Sequence, residues 1–562
     1  MAEQLYFSRD TRCFVQFRNT TDNTETATDL GKGAVWEIPI LDGYSFSQTT
    51  NTSEITLAEM ESSAGVSRRG RRMFTDSLAP AEWSFSTYIR PFDSLGQSAL
   101  GNSYDGAKAA ETGSNTGVHA VEEVLWASMF GADKYVTDSS VQKFRRNVQP
   151  VSGSETDVLA PGGDNMVITI QESNRSALHS FVLWFLIDTD ISNPLIYRLP
   201  EAIVNEVAID FDVDGIATLN WTGFAKEVVD YSDNFGEAAH ASNKPACAGG
   251  RKGGGNLILG DVLINTGNNR QFGLISTVGT AGNSVVTEAI DEATTSTKNF
   301  IRNRLTSVDI ETVDAADKVS STFPGSYATL VSYTTSTITA TAHGFSNGDR
   351  VYIDGCTGNV TLNGTHYYVG AKTTNTFKLY DTEAKGIAGG NDQETLNATS
   401  YDASSGTLAN GKYSLTLTGG SFTVGNNITY LVPEELGAIN KPLEHVTGTR
   451  TATGNATCYI TLNDSDTTSG SSRQFFNDLV STNAMAKVVN KFKVTMHIGG
   501  SAATGNTTDP ALKIIFPTAH IEVPTHSVED VISLETNFTA LPTDFGSADE
   551  ITSITYYPPS SY

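Results

Sequence analysis

Basic side chains are scarce in this 562-residue chain: 37 Lys and Arg stand against 63 Asp and Glu, a formal net charge of −26. A surplus of that size repels polyanions at long range, which argues against a conventional nucleic-acid binder. It suits plain solubility, or a surface along which DNA passes without sticking, equally well. Cysteine is scarcer still: Cys13, Cys247, Cys356 and Cys458 are far apart and form no Cys-x-x-Cys pair. Neither a zinc site nor a disulfide framework is indicated, and a reducing compartment is the simpler reading. Long apolar runs are also missing. The longest, Phe181 to Ile187, is far too short to span a bilayer, and the opening MAEQLYFSRD lacks the charged region and apolar stretch of a secretory leader. The expectation is a soluble chain made in the cytoplasm, with no membrane contact.

Charged residues make up only 18% of the chain, and long helical patterns are nearly absent. Gly (50), Phe (26) and Tyr (20) are plentiful, beside many Thr, Ser and Asn, a mixture that suits short strands joined by turns. At 60.0 kDa the chain exceeds what one hydrophobic core usually supports, so two to four domains are expected.

Residues 34–59 hold two β-rich runs about Asp42-Gly43 and read as a hairpin. Trp83, Phe85, Thr87 and Ile89 alternate with Ser84, Ser86 and Tyr88, the period of a strand with one face in the core. Val121 to Phe130 reads as a short amphipathic helix ending at Gly131. SFVLWFLI (180–187) reads as a strand buried on both faces, and 205–221 as a hairpin turning at Asp214-Gly215. A first domain closes near 235, and 236–297, with its Gly-rich stretch, reads as a connector or arm.

The order of these elements then recurs. Residues 413–436 echo the opening hairpin, ATCYITL (456–462) the strand at 83–89, and SRQFFNDLV (472–480) the helix. FKVTMHI (492–498) matches 180–187, and 512–538 matches the hairpin from Tyr197 to Phe224. The expected fold is mainly β, one domain used twice: residues 1–235, then 298–330 with 386–562. Residues 331–385, four short strands between Gly- and Asn-rich turns, have no counterpart and read as a small inserted all-β module.

WEIPILDGYSF, the strand-then-helix pair, YRLPEAIVNEVAIDFDVDGIATLNW and the closing FPTAHIEVPTHSVEDVISLETNFTAL resemble the tail tube proteins of tailed bacteriophages. By order of elements the resemblance covers about four fifths of the chain, though no single motif is a strict signature. It implies a β-sandwich or partial barrel with one flanking helix per domain, in a virion structural protein that is not an enzyme. It further implies stacked hexameric rings around a conduit for DNA ejection; with tandem domains, three chains would make a pseudo-sixfold ring, and otherwise six. The implied partners are other copies of the chain, tail sheath, baseplate and tail terminator proteins, and double-stranded DNA in transit. The segment 331–383 resembles a small β-module that recurs in phage tail and fibre proteins.

Asp210-Phe-Asp212-Val-Asp214-Gly215 imitates the start of an EF-hand calcium loop, but the twelfth position is Trp221 where a bidentate Glu is needed. A strand with Ile209, Phe211 and Val213 inward is the preferred reading, and no metal or cofactor is expected. On the tube reading, Glu206, Asp210, Asp212 and Asp214, with Glu522 and Glu529 in the second repeat, are candidates for a channel wall that repels phosphates. Their ordinary alternative is a solvated outer face. Arg68, Arg69, Arg71 and Arg72 form the one dense basic cluster and are candidates for contact with acidic patches on a neighbouring ring, or a solvated charge run. GGRKGGG (249–255) lacks the Gly-Lys-Ser/Thr ending of a phosphate loop. No catalytic triad or paired-carboxylate cleft stands out. A fibre or baseplate adhesin binding a host glycan is the alternative, and a carbohydrate-active enzyme the third reading.

Overall fold

The computed structural model describes residues 6–8, 11–17, 34–55, 72–94, 117–137, 142–147, 155–161, 165–170, 178–187, 195–230, 256–259, 262–265, 273–275, 300–312, 328–356, 362–363, 365–396, 406–432, 441–461, 471–481, 491–501, 506–528, 531–544, 547 and 549–558. Within them the protein is mainly β. In the first half the labelled elements are β1 (Ser45–Ser47), β2 (Thr50–Ile55), β3 (Arg72–Leu78), β4 (Ala81–Tyr88), α1 (Glu123–Met129), β5 (Phe181–Ile187), β6 (Leu195–Asp212) and β7 (Thr218–Ala225). After α2 (Glu383–Ala388) come β8 (Leu417–Gly425), β9 (Thr429–Leu431), β10 (Glu444–Val446), β11 (Thr451–Tyr459), α3 (Ser472–Leu479), β12 (Phe492–Ser501), β13 (Asn506–Ile521), β14 (Thr525–Val528), β15 (Ile532–Ala540) and β16 (Ser553–Tyr557).

Period-two alternation forms these strands. Along β4, Ala81, Trp83 and Phe85 are buried while Glu82 is exposed and Ser84 and Ser86 half-buried; β7 and β15 alternate likewise. β5 instead is apolar along both faces, and six of its seven residues are buried; within its sheet it lies between the strands Arg12–Phe17 and β6.

The two halves pair their strands in the same order and register. Phe181 faces Ala202 between β5 and β6, and Phe492 faces Ala519 between β12 and β13. Ser45 faces Ser84 and Ser84 faces Thr222, while Ser421 faces Asn455 and Asn455 faces Asn537. Ala208 faces Asn220, and Thr525 faces Glu535. The 18-residue β6 pairs β5 with its first part and β7 with its second; β13 pairs β12 first and β15 at its end. Pro200 and Pro517 stand at these exchanges. Proline has no amide donor to continue a ladder, so the strand changes partner there.

The Asp42-Gly43 reading needs a correction. The turn exists, with Gly43 at φ 94°, but it does not join a hairpin: Ala34–Ile38 pairs with Arg12–Phe17, whereas β1 pairs with β4. Pro39 stops the first ladder, and the chain crosses to the other sheet, where the Leu41 amide donates to the Ser86 carbonyl at 2.8 Å.

Residues 328–409 build a separate seven-stranded sheet with its own core, including Leu330, Tyr333, Ile353, Phe377 and Leu408. It enters between the paired strands Ser307–Thr312 and Lys412–Leu415. Polar contacts hold it to the body: Arg350 Nη1 and Tyr352 Oη both donate to the Thr312 carbonyl at 2.7 Å, and Lys493 meets Glu383 at 3.1 Å. Burial would push the Glu311 carboxyl up, but Lys493, Lys412 and Arg350 together hold it below its usual range.

A single apolar cluster spans both halves, and β16 helps close it. This strand pairs with Met166–Ile168 of the first half on one side and with β13 on the other. Tyr556 is fully buried; its hydroxyl donates to Glu122 Oε1 at 2.6 Å and accepts from Trp126 Nε1 at 2.7 Å. Burial raises the Glu122 carboxyl to about 7. Tyr556→Phe leaves a buried indole N–H and a carboxyl without their partner, so it should cost about 1–3 kcal/mol, read as a lower urea midpoint at unchanged slope. Because the folded state holds the Glu122 proton more tightly than the unfolded chain, this group's stabilising contribution is full below about pH 4.5 and is lost as pH rises towards 7. Glu122→Gln should remove that slope from a stability–pH profile.

Candidate functional site

Eight strand segments form one continuous run: β1, β4, β7, β6, β8, β11, β15 and β14. Their apolar face, with Phe46, Trp83, Trp221, Ile209, Phe211, Phe422, Val424, Leu534 and Phe538, packs into the core. Paired residues share a face, so the opposite side can be read from the registers. Across it stand Ser45, Ser84, Thr222 and Glu206; then Ser86, Asn220, Ala208, Thr423, Thr453 and Thr539; then Asp210, Ser421, Asn455 and Asn537. Glu82 and Glu535 lie on the same face and are exposed. None of the eight segments, taking Glu206–Asp212 for β6, contains Lys or Arg.

The face is therefore hydroxyls, amides and carboxylates without a cation. Its polar groups bond among themselves: Asn220 Nδ2 donates to Asp210 Oδ2 at 3.1 Å, and Ser86 Oγ donates to Asn220 Oδ1 at 2.6 Å. Asn537 Nδ2 donates to Glu522 Oε2 at 3.3 Å, which draws Glu522 to the end of the face.

The structure thus brings together Glu206, Asp210, Asp212 and Glu522. Asp212 ends its strand by accepting from the Val213 amide at 2.7 Å, and Asp214 is exposed in the turn that follows. Val213 is 42% exposed, so the inward side of that strand stops at Phe211. The Asp-x-Asp-x-Asp-Gly run serves as a strand end and a turn. Among the described residues no group of three or more His, Cys, Asp or Glu is placed to hold a metal ion. Glu529, Arg68, Arg69 and Arg71 lie outside the described residues, as does 249–255; the Arg72 backbone pairs with Ile55 at the end of β3.

Sequence reading missed Glu82 and Glu535. Each stands alone among uncharged residues in its strand, and only the sheet joins them to Glu206 and Asp210. The available signal was the absence of Lys and Arg from the strands that alternate Ser, Thr or Asn with Trp83, Trp221, Phe422 or Phe538.

No family model matches the chain. It is similar to "Tail tube protein pb6" of Escherichia phage T5, 36% identical over 141 residues. That stretch is 25% of this chain and 28% of the phage T5 protein. The similarity supports a structural role in a phage tail. No helix among the described residues is long and apolar enough to cross a membrane.

Asp210 and Glu535 are exposed and outside the core, so replacing both with Lys should move the unfolding midpoint by no more than about 2 °C. The same double variant should retain a DNA duplex at low salt where the parent does not, with affinity falling steeply as salt rises. Fluorescence anisotropy of labelled duplex measures both.

Proposed function

We propose that this protein is a structural subunit of a phage tail tube, built from two tandem copies of one tube-type domain, which polymerises into stacked rings around a conduit for DNA ejection. The single observation that carries the reading is the junction between its halves. Glu206–Asp212 of β6 pairs antiparallel with Gly419–Gly425 of β8, so one half's sheet continues into the next. The counterpart of β8 in the first half is β1, and the counterpart of the second part of β6 is β14.

Among the described residues β1 pairs only with β4, and β14 only with β15. A chain whose halves join through β6 and β8 therefore keeps the same two edges vacant at its ends. In the register of the internal junction, Thr525, His526 and Ser527 of one copy would face Ser47, Phe46 and Ser45 of the next. The exposure of His526 accords with this, since Ile209, at the equivalent position against a seated β8, is fully buried. Repetition of such a head-to-tail contact closes a ring if its rotation divides the circle. Three copies supply six domains, and the cation-free face becomes the channel wall, where carboxylates keep phosphates from adsorbing. Rings would stack with the Arg68, Arg69, Arg71 and Arg72 stretch against acidic patches of the next ring. Tail sheath, baseplate and tail terminator proteins are the expected neighbours in the virion.

Negative-stain electron microscopy of the concentrated protein, with averages of end-on views, tests the proposal. Hollow rings or tubes with six-fold features from three chains are expected. Solid rods, fibre-like trimers or persistent monomers would overturn it and favour an adhesin, to be followed by glycan binding.

A further inference from the structure

The hairpin of β9 and β10 in the second half is seated on the first half of its own chain. Tyr430 and Ile428 pack with Leu178, Ile203 and Phe224. The Tyr430 hydroxyl donates to the Glu201 carbonyl, His445 Nε2 donates to the Leu178 carbonyl at 3.2 Å, and the Ile428 amide donates to Asn205 Oδ1 at 2.8 Å. Lys441 reaches Glu227 at 3.4 Å.

The hairpin of β2 and β3 holds the same place in the first half, between β1 and β4 as β9 and β10 lie between β8 and β11. Aligned through β4 and β11, Phe74 stands at the position of His445 to within one residue. Yet Met73 is 61% exposed and Phe74 53%, both large apolar side chains on a two-stranded ribbon that pairs with nothing else among the described residues. The two project from opposite faces of the ribbon, and it is Phe74 that stands, exposed, at the site of a seated counterpart.

The surface that would seat Phe74 is the second-half counterpart of Glu201, Ile203 and Phe224. The matched registers place there Thr518, His520 and Thr539, and His520 and Thr539 face each other across β13 and β15. His520 Nδ1 is buried with no hydrogen-bond partner among the described residues, at the point where Ile203 is covered in the first half.

We infer that the β2–β3 hairpin is a clasp between copies, seating the Phe74 face of the ribbon on the second half of the neighbouring copy, over Thr518, His520 and Thr539. The partner is a second copy of this chain, and the contact repeats the internal seating of β9 and β10. It rests on the tube reading in that it needs the head-to-tail order of copies. It adds that sheet pairing alone does not hold them. The Phe74 side chain supplies the affinity.

The test is photo-crosslinking in the full-length protein with Phe74 replaced by benzoyl-phenylalanine, peptides being mapped after assembly. Crosslinks from position 74 to 517–523 or 538–541 of another copy are expected. In parallel, Phe74→Asp should fold like the parent by circular dichroism and raise the concentration needed for assembly on the order of tenfold or more, as loss of one buried aromatic implies. Tubes that form normally with Phe74→Asp, or crosslinks to other segments, would overturn the clasp and leave the tube reading standing. Failure of the parent protein to form rings or tubes in the microscope would overturn both.

Discussion

Seven consecutive residue pairs of main chain, Glu206–Asp212 against Gly419–Gly425, make the two halves of this protein one sheet. A ladder of amide hydrogen bonds dictates register, and register dictates which side of every strand meets the core. Composition lets the ladder form closely. Gly420 lets β8 lie against Phe211: a Cβ there would come within 2.7 Å of the Phe211 ring and 2.5 Å of the Asn455 carbonyl. Beyond the ladder, the Asn426 amide donates to the Asn205 carbonyl at 2.8 Å, and its side chain reaches the Met129 carbonyl at 3.2 Å. Side chain and backbone thus continue the bond pattern past the end of β8 into the first half.

The consequence for charge is a division of labour between surfaces. Lysines and arginines are concentrated away from the eight-strand face: Lys412 and Lys493 balance Glu311, Asp309 and Glu383 where the small sheet docks, and Arg450 meets Glu550 at 3.2 Å. Those cations are engaged with nearby carboxylates. On the face, Asp210 and Glu522 accept from the Asn220 and Asn537 side-chain amides, which orient them without neutralising them. The contribution of that face to the field is therefore negative.

Much of this was legible locally. The alternation through Trp83 and Phe85 marked its strand, the apolar run from Phe181 marked a strand covered on both sides, and Phe475 with Leu479 marked the short helix. Asp214-Gly215 gave its turn, with Gly215 at φ 124°. Asp42-Gly43 gave a turn as well, but a turn dipeptide says only that the chain reverses, and Pro39 decided that the strand before it would stay with Arg12–Phe17. The face was only half legible. Glu206, Asp210 and Asp212 are close in sequence and were seen, whereas Glu82 and Glu535 join them through cross-strand pairs that no local pattern encodes.

The seven-stranded sheet enters through a gap that the body already closes. Glu311 faces Lys412 in a strand pair, and the Thr312 amide donates to the Gly411 carbonyl at 3.2 Å, so the two chain ends of the insertion leave side by side. In the first half the corresponding pair, Arg12–Phe17 with Ala34–Ile38, is bridged by only 16 residues. The body's own ladder thus fixes where an appendage begins and ends while leaving its length free, so the two halves carry links of quite different size on equivalent strand pairs.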